Sequence, residues 1–125
     1  MSLDWEQVIV DAIDPAALAR WWREALGWVM VDEDDEEGEY EIRPSADVVP
    51  GLLFVPVPEP KTIKNRLHLD FRPADQDAEV TRLLALGATR ADVGQGDESW
   101  VVLADPEGNE FCVLRSVSDR AAMSF

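Results

Sequence analysis

Gln7 and His68 are the polar side chains whose positions could serve chemistry, because they occupy matching points of two similar stretches. Gln7 lies 20 residues before Gly27 and His68 lies 19 before Gly87, and the glycines end the matching triplets Ala25-Leu26-Gly27 and Ala85-Leu86-Gly87. An imidazole moves protons near neutral pH or ligates a metal ion. His68 is the single histidine, and strand alternation puts Arg66 and Asp70 on its face. Those two either orient the ring and bind an anion, or pair with each other and their neighbours. Lys61, Lys64 and Arg66 form a basic cluster in an otherwise acidic chain; it either favours an anionic ligand or neutralises the acidic surface. Cys112, the one cysteine, reads as a small buried hydrophobe or as a ligating or nucleophilic thiol. Trp5, on the Gln7 side of its strand, and Trp100, opening a later strand, are candidates for an aromatic pocket wall.

The elements that must position these residues recur in the same order. Trp5 to Ala12 alternates, with Val8, Val10 and Ala12 on one face and Trp5, Gln7, Ile9 and Asp11 on the other. Asp14 followed by Pro15 predicts a helix start, since the carboxylate accepts a free N–H and proline suits the first helical position. Leu18, Trp21, Trp22, Ala25 and Leu26 make its apolar stripe, and Gly27 stops it. Strands are predicted at about Trp28 to Asp32, Glu39 to Arg43 and Gly51 to Val57. Three prolines between Pro56 and Pro60 mark a stiff connection. Beyond it Asn65 to Phe71 alternates, with Leu67, Leu69 and Phe71 opposite Arg66, His68 and Asp70. A second helix over Asp75 to Leu86 follows, with Val80, Leu83 and Leu84 facing inward. Further strands are expected at Ala88 to Asp92, Ser99 to Ala104 and Glu110 to Arg115. The tail from Ser116 has no period, although Met123 and Phe125 could dock on a neighbour. The expected organisation is one domain over 1–125: module one about 4–57, hinge 58–63, module two about 64–115 and tail 116–125.

Composition narrows the function. A chain of 125 residues with 46% hydrophobic and 30% charged residues is large enough for one core. With 26 acidic against 11 basic residues and a net charge of −15, it lacks the cationic footprint of a nucleic-acid binder. Anionic membranes are equally poor partners, and no apolar run approaches the ~20 residues of a membrane span. The start Met1-Ser2-Leu3-Asp4 carries no export signal core and the lone cysteine suits a reducing compartment, so a cytoplasmic location is expected. Eight of the ten residues from Asp32 to Glu41 are acidic. They do not make a calcium loop, because Glu37 stands where that loop needs glycine and Arg43 where it needs a bidentate glutamate. A solvated turn between two strands is expected instead.

The βαβββ order is written twice, an α+β arrangement of duplicated modules, and the family resemblance carried by the following residues implies that their curved mixed sheet surrounds a cleft. Gln7, the Trp21-Trp22 helix ending in Leu26-Gly27, the run Lys64-Asn65-Arg66-Leu67-His68-Leu69-Asp70, and Asp105-Pro106-Glu107-Gly108-Asn109-Glu110-Phe111 together resemble the vicinal oxygen chelate superfamily. Within it they look like the glyoxalase-like members, the glyoxalase, bleomycin resistance and dioxygenase type. The resemblance covers about residues 4 to 115. A ferredoxin-like domain, with βαβ in each half, is the competing fold; three strand-like runs between Gly27 and the hinge disfavour it.

The resemblance implies a small-molecule site and, in metal-dependent members, two ligands from each copy. Its first-strand ligand positions correspond to Gln7 and His68. The final ligand, usually a glutamate seven residues after the aspartate of Asp-Pro-x-Gly, corresponds to Cys112, and the remaining carboxylate position to Phe54. Both carboxylates are therefore replaced. Two functions stay open. One is a protein that binds a small anionic or aromatic molecule without a metal, using Trp5, Gln7, Phe54, Arg66, Asp70, Trp100 and Cys112 around His68. The other is a metal-dependent lyase, isomerase or dioxygenase with His68 catalytic and zinc, nickel, manganese or iron on Gln7, His68 and Cys112. Short strand edges predict a homodimer.

Overall fold

The computed structural model describes residues 2–91 and 99–116. Its contacts divide the chain into two compact units, Met1–Pro60 and Lys61–Phe125. Each is one βαβββ module with its own four-stranded mixed sheet.

In the first unit, β1 (Gln7–Ala12) leads into α1 (Pro15–Leu26), then β2 (Val29–Asp34), β3 (Glu39–Arg43) and β4 (Gly51–Pro56). The sheet order is β1-β4-β3-β2, with β4 parallel to β1 and the other pairs antiparallel. Local chemistry sets the helix ends. The Asp14 carboxylate accepts from Ala17 N at 3.1 Å, and Gly27 takes the left-handed backbone that ends the helix. One helix face buries Leu18, Ala19, Trp22 and Ala25, and α1 packs on β3 and β4. There it meets Tyr40, Ile42, Leu52 and Phe54, all at most 6% exposed. Trp21 is only half-buried, with its ring edge-on to Trp22 at 5.0 Å.

The acidic run extends both strands around its turn rather than forming a loop of its own. Glu37 N donates to Asp34 Oδ1 at 3.0 Å and Gly38 N to Asp34 O at 2.8 Å, with Gly38 at φ 74°. The Tyr40 hydroxyl hydrogen-bonds Asp35, tying the turn to the buried end of β3.

In the second unit, β5 (Leu69–Phe71), α2 (Gln76–Leu86), β6 (Thr89–Arg90), β7 (Val101–Ala104) and β8 (Glu110–Val113) repeat the order, with sheet order β5-β8-β7-β6. Asp75 caps α2 through Ala78 N at 3.1 Å. Gln76 pins the start of that helix to the sheet, its amide donating to Ser99 O at 2.8 Å and Val113 O at 3.1 Å. Val80 and Leu83 of α2, with Leu103, Phe111 and Val113 of the sheet, are buried.

The strand of residues 65–71 is shorter than its alternation predicts. Asn65 N donates to the Glu110 carboxylate at 3.0 Å rather than to a strand carbonyl, so the ladder starts only at Leu69. Consequently Leu67, expected on the inner face, is 85% exposed, and His68 stands just outside the strand. The ferredoxin-like alternative fails because β3 and β7 are both genuine inner strands between partners. Asp92, Met123 and Phe125 lie outside the described residues.

Candidate functional site

The open face of the first sheet carries Gln7. Parallel register sets Gln7 beside Gly51, Ile9 beside Leu53 and Asp11 beside Val55, while antiparallel register sets Glu41 beside Leu53. Phe54 is not part of this face. It pairs with Val10 and Tyr40 on the helix side and is 0% exposed, so its predicted place as a cleft residue is corrected: the outward residues of β4 are Gly51, Leu53 and Val55.

Gly51 lets the neighbouring strand lean across this face. A Cβ added there would lie 2.8 Å from Glu41 Oε2, 2.9 Å from Ile42 O and 3.0 Å from Arg43 Cγ. In that space Arg43 Nε donates to Glu41 Oε2 at 2.8 Å, while its fork reaches Glu6 at 3.3 Å and Ala46 O at 3.2 Å. The paired carboxylates, Glu41 foremost, raise the Arg43 pKa above its ordinary value. Beside this ion pair an open pocket of about 580 Å³ is lined by Val29, Met30 and Val31 of β2, Glu41 and Arg43 of β3, and Ser45 and Ala46. That volume lies within the range of small-molecule sites. Sequence reasoning missed Glu41, Arg43 and Gly51 as site residues. Alternation with Tyr40 and Ile42 already marks the first two as outward, but nothing local tells that a missing Cβ on β4 accommodates them. Trp5 precedes β1 and is 67% exposed.

In the second unit the Asp-Pro-x-Gly turn aims β8. The Asp105 carboxylate, 3% exposed, accepts from Glu107 N at 2.9 Å, Asn109 N at 3.0 Å and the Asn109 side-chain amide. Gly108 supplies the positive φ of 87° that closes this turn. From that turn β8 carries Glu110 and Cys112 on one face and Phe111 and Val113 on the other. Trp100, half-buried, stands one residue ahead of β7.

Glu110 is occupied as an anchor. Lys61 Nζ lies 2.9 Å from its carboxylate and Asn65 N donates to the same oxygen. Burial works to raise its pKa, but the Asn65 N–H and the Lys61 ammonium outweigh that and hold it below the usual carboxylate value.

Cys112 pairs in register with Asp70. It is 6% exposed, and burial, followed by the neighbouring Asp70 carboxylate, pushes its pKa up to about 11, with Lys64 acting in the opposite direction. The resting group is thus a thiol. His68 is exposed, and its Nε2 lies 2.7 Å from Lys64 Nζ. An ammonium has only hydrogens to give, so Nε2 accepts and Nδ1 carries the ring proton. Arg66 and Asp70 are exposed on the same segment.

The glyoxalase-like domain model matches residues 7–114. The chain belongs to the glyoxalase-like domain family. No curated protein sequence matches it. Among solved structures, this glyoxalase-like domain is similar to TnmS3, an antibiotic-binding protein from Streptomyces sp. CB03234, at 20% identity, TM-score 0.67, covering 93% of this chain and 98% of that one. It is similar to the trypanothione-dependent glyoxalase I of Leishmania major at 12% identity, TM-score 0.67, covering 97% and 92%. It is also similar to the bleomycin resistance determinant encoded on transposon Tn5 at 17% identity, TM-score 0.58, covering 92% and 99%. These likenesses establish the vicinal oxygen chelate fold, with its duplicated βαβββ modules.

The family is typically metal-dependent, and the residues of this domain do not fit a divalent ion. A neutral imidazole has one lone pair, and that of His68 is already on the Lys64 ammonium. The Cys112 thiol is held protonated beside Asp70. Phe54, in place of a carboxylate, faces the helix. Among the described residues no group of three or more histidine, cysteine or acidic side chains could hold a metal ion, and Gln7 would add only an amide oxygen. The expected Gln7, His68 and Cys112 set thus offers an amide oxygen, an imidazole engaged by an ammonium and a protonated thiol, a donor set poorly suited to a divalent ion.

Proposed function

We propose that this domain binds a small anionic or partly aromatic molecule and holds it without a divalent metal. The observation that carries this reading is the state of the two residues in the second module's ligand positions: His68 accepts from Lys64 at 2.7 Å, and Cys112 is a buried thiol in register with Asp70, whose carboxylate favours its protonated form. A divalent ion would have to displace an ammonium from one and a proton from the other. The pocket beside Glu41 and Arg43 supplies an apolar wall with a few fixed polar groups, the usual make-up of a small-molecule site. TnmS3, an antibiotic-binding protein, shows that this fold can hold a small molecule. Trp5, Gln7, Arg66, Asp70 and Trp100 belong to the proposed contacts. The domain is proposed to act as a homodimer in a reducing, cytoplasmic setting; no helix among the described residues is long and apolar enough to cross a membrane.

The test is metal analysis of the purified protein, followed by thermal melts with zinc, nickel, manganese and iron and with a panel of anionic and aromatic small molecules. An ion or ligand that binds only the native state raises the melting temperature, by about 2.7 kcal/mol of stabilisation at a hundredfold excess over Kd. Stabilisation by members of the panel and by none of the metals is expected. A stoichiometric metal with a matching rise in melting temperature would instead overturn the metal-free reading and favour the metal-dependent alternative, in which His68 is the proposed catalytic residue.

A further inference from the structure

The second unit gathers a cation, an imidazole, a carboxylate and a thiol within one short stretch of chain and the strand beside it. Lys64 Nζ donates to Asn65 O at 3.2 Å and to His68 Nε2 at 2.7 Å. These are its hydrogen bonds among the described residues, and an ammonium has three N–H groups, so one remains to be given. The segment is held in place from behind, since Asn65 is tied to Glu110 through its backbone N–H at 3.0 Å and its side-chain amide at 3.5 Å, and Lys61 neutralises that same carboxylate. The Lys64 ammonium thus stands at His68, which occupies a metal-ligand position of the module.

We propose that Lys64 takes over the electrostatic role of the metal ion: its ammonium, fixed by Asn65 and His68, receives the carboxylate of a small organic acid. This rests on the metal-free binding reading above and deepens it by naming the anchor and the ligand class. A single fixed monocation complements a monoanionic carboxylate. The exposed Asp70 on the same segment and the net charge of −15 oppose a dianion such as phosphate. Charge-assisted N–H···O contacts are the strong class of hydrogen bond, so loss of this one is a measurable fraction of the affinity for a small acid.

The single histidine makes the test specific, because the imidazole resonances of 15N-labelled protein all come from His68. Benzoate, inorganic phosphate and zinc are titrated separately into the wild type, K64M and K64R. Expected are saturable benzoate shifts at His68 in the wild type, affinity reduced about tenfold or more in K64M and retained within a few fold in K64R. Phosphate is expected to be the weaker ligand, and zinc to leave His68 unshifted in the wild type. Lys64 is exposed, so its replacement leaves the fold intact, which the unchanged amide spectrum of K64M verifies. Benzoate binding equally to wild type and K64M, phosphate binding more tightly than benzoate, or no saturable benzoate shift at His68 would each overturn Lys64 as the carboxylate anchor while leaving metal-free binding elsewhere standing. Stoichiometric zinc binding at His68 would overturn both readings.

Discussion

Two residues of β8 show how neighbours decide what an ionisable group does. The Cys112 thiol is raised to about 11 by burial and by Asp70, so the folded state favours its protonated form. Its contribution to stability is present below the unfolded thiol value of about 9 and is lost as pH climbs from there through 11. Iodoacetamide should therefore label native protein at pH 8 far more slowly than urea-unfolded protein, with the native rate rising only toward pH 11; equal rates would remove the buried thiol from the argument. Glu110 runs the other way. Its carboxylate is held low, so its contribution is present above about 4.5 and fades as pH falls through its folded value. Glu110→Gln keeps an acceptor for Asn65 N but loses the charge facing Lys61. It should cost about 1–3 kcal/mol in urea unfolding at pH 7 and much less at pH 3. A cost that does not change with pH would mean that packing, not charge, is what Glu110 supplies.

At the scale of elements, strand register rather than strand existence is what builds the site. The chain at Leu52-Leu53-Phe54-Val55 is apolar throughout, so a period of two picks out no face, and only pairing with Val10 sends Phe54 to the helix side. The alternation of Glu39, Glu41 and Arg43 against Tyr40 and Ile42 is legible, and the strand it predicts is the one found. Gly51 is the element-level point of weakness. Gly51→Ala would thrust a methyl group against Glu41, the Ile42 carbonyl and Arg43. A loss of about 1–3 kcal/mol is expected, with the spacing of β3 and β4 disturbed. Measured stability equal to wild type would show that the ion pair moves aside freely.

For the whole molecule, a net charge of −15 on 125 residues means self-repulsion in the folded state. Added sodium chloride should raise the melting temperature steeply up to roughly 0.1–0.2 M, where the Debye length falls below about 10 Å, and little beyond. A melting temperature that falls with salt would show that attractive pairs such as Lys61 with Glu110 outweigh the repulsion. The same charge repels a small acid at long range, so its binding at Lys64 should strengthen as added salt screens that repulsion.

Helix ends, the duplicated order of elements and the family were decided by the chain as written, since aspartate caps, glycine stops and amphipathic periods act over a few neighbouring residues and need no partner. Tertiary structure decided which way Phe54 points, what lies over Gly51, and whether His68 and Cys112 are free donors or already satisfied. Each of those depends on a second segment arriving at hydrogen-bonding distance: β1 beside β4, Arg43 across the gap left by a missing Cβ, Asp70 in register with Cys112, and the 64–68 segment drawn off the ladder by Glu110. Spacing along a sequence records which residues are available, whereas coordination and protonation are set by the atoms within about 3 Å, which only the folded chain brings together.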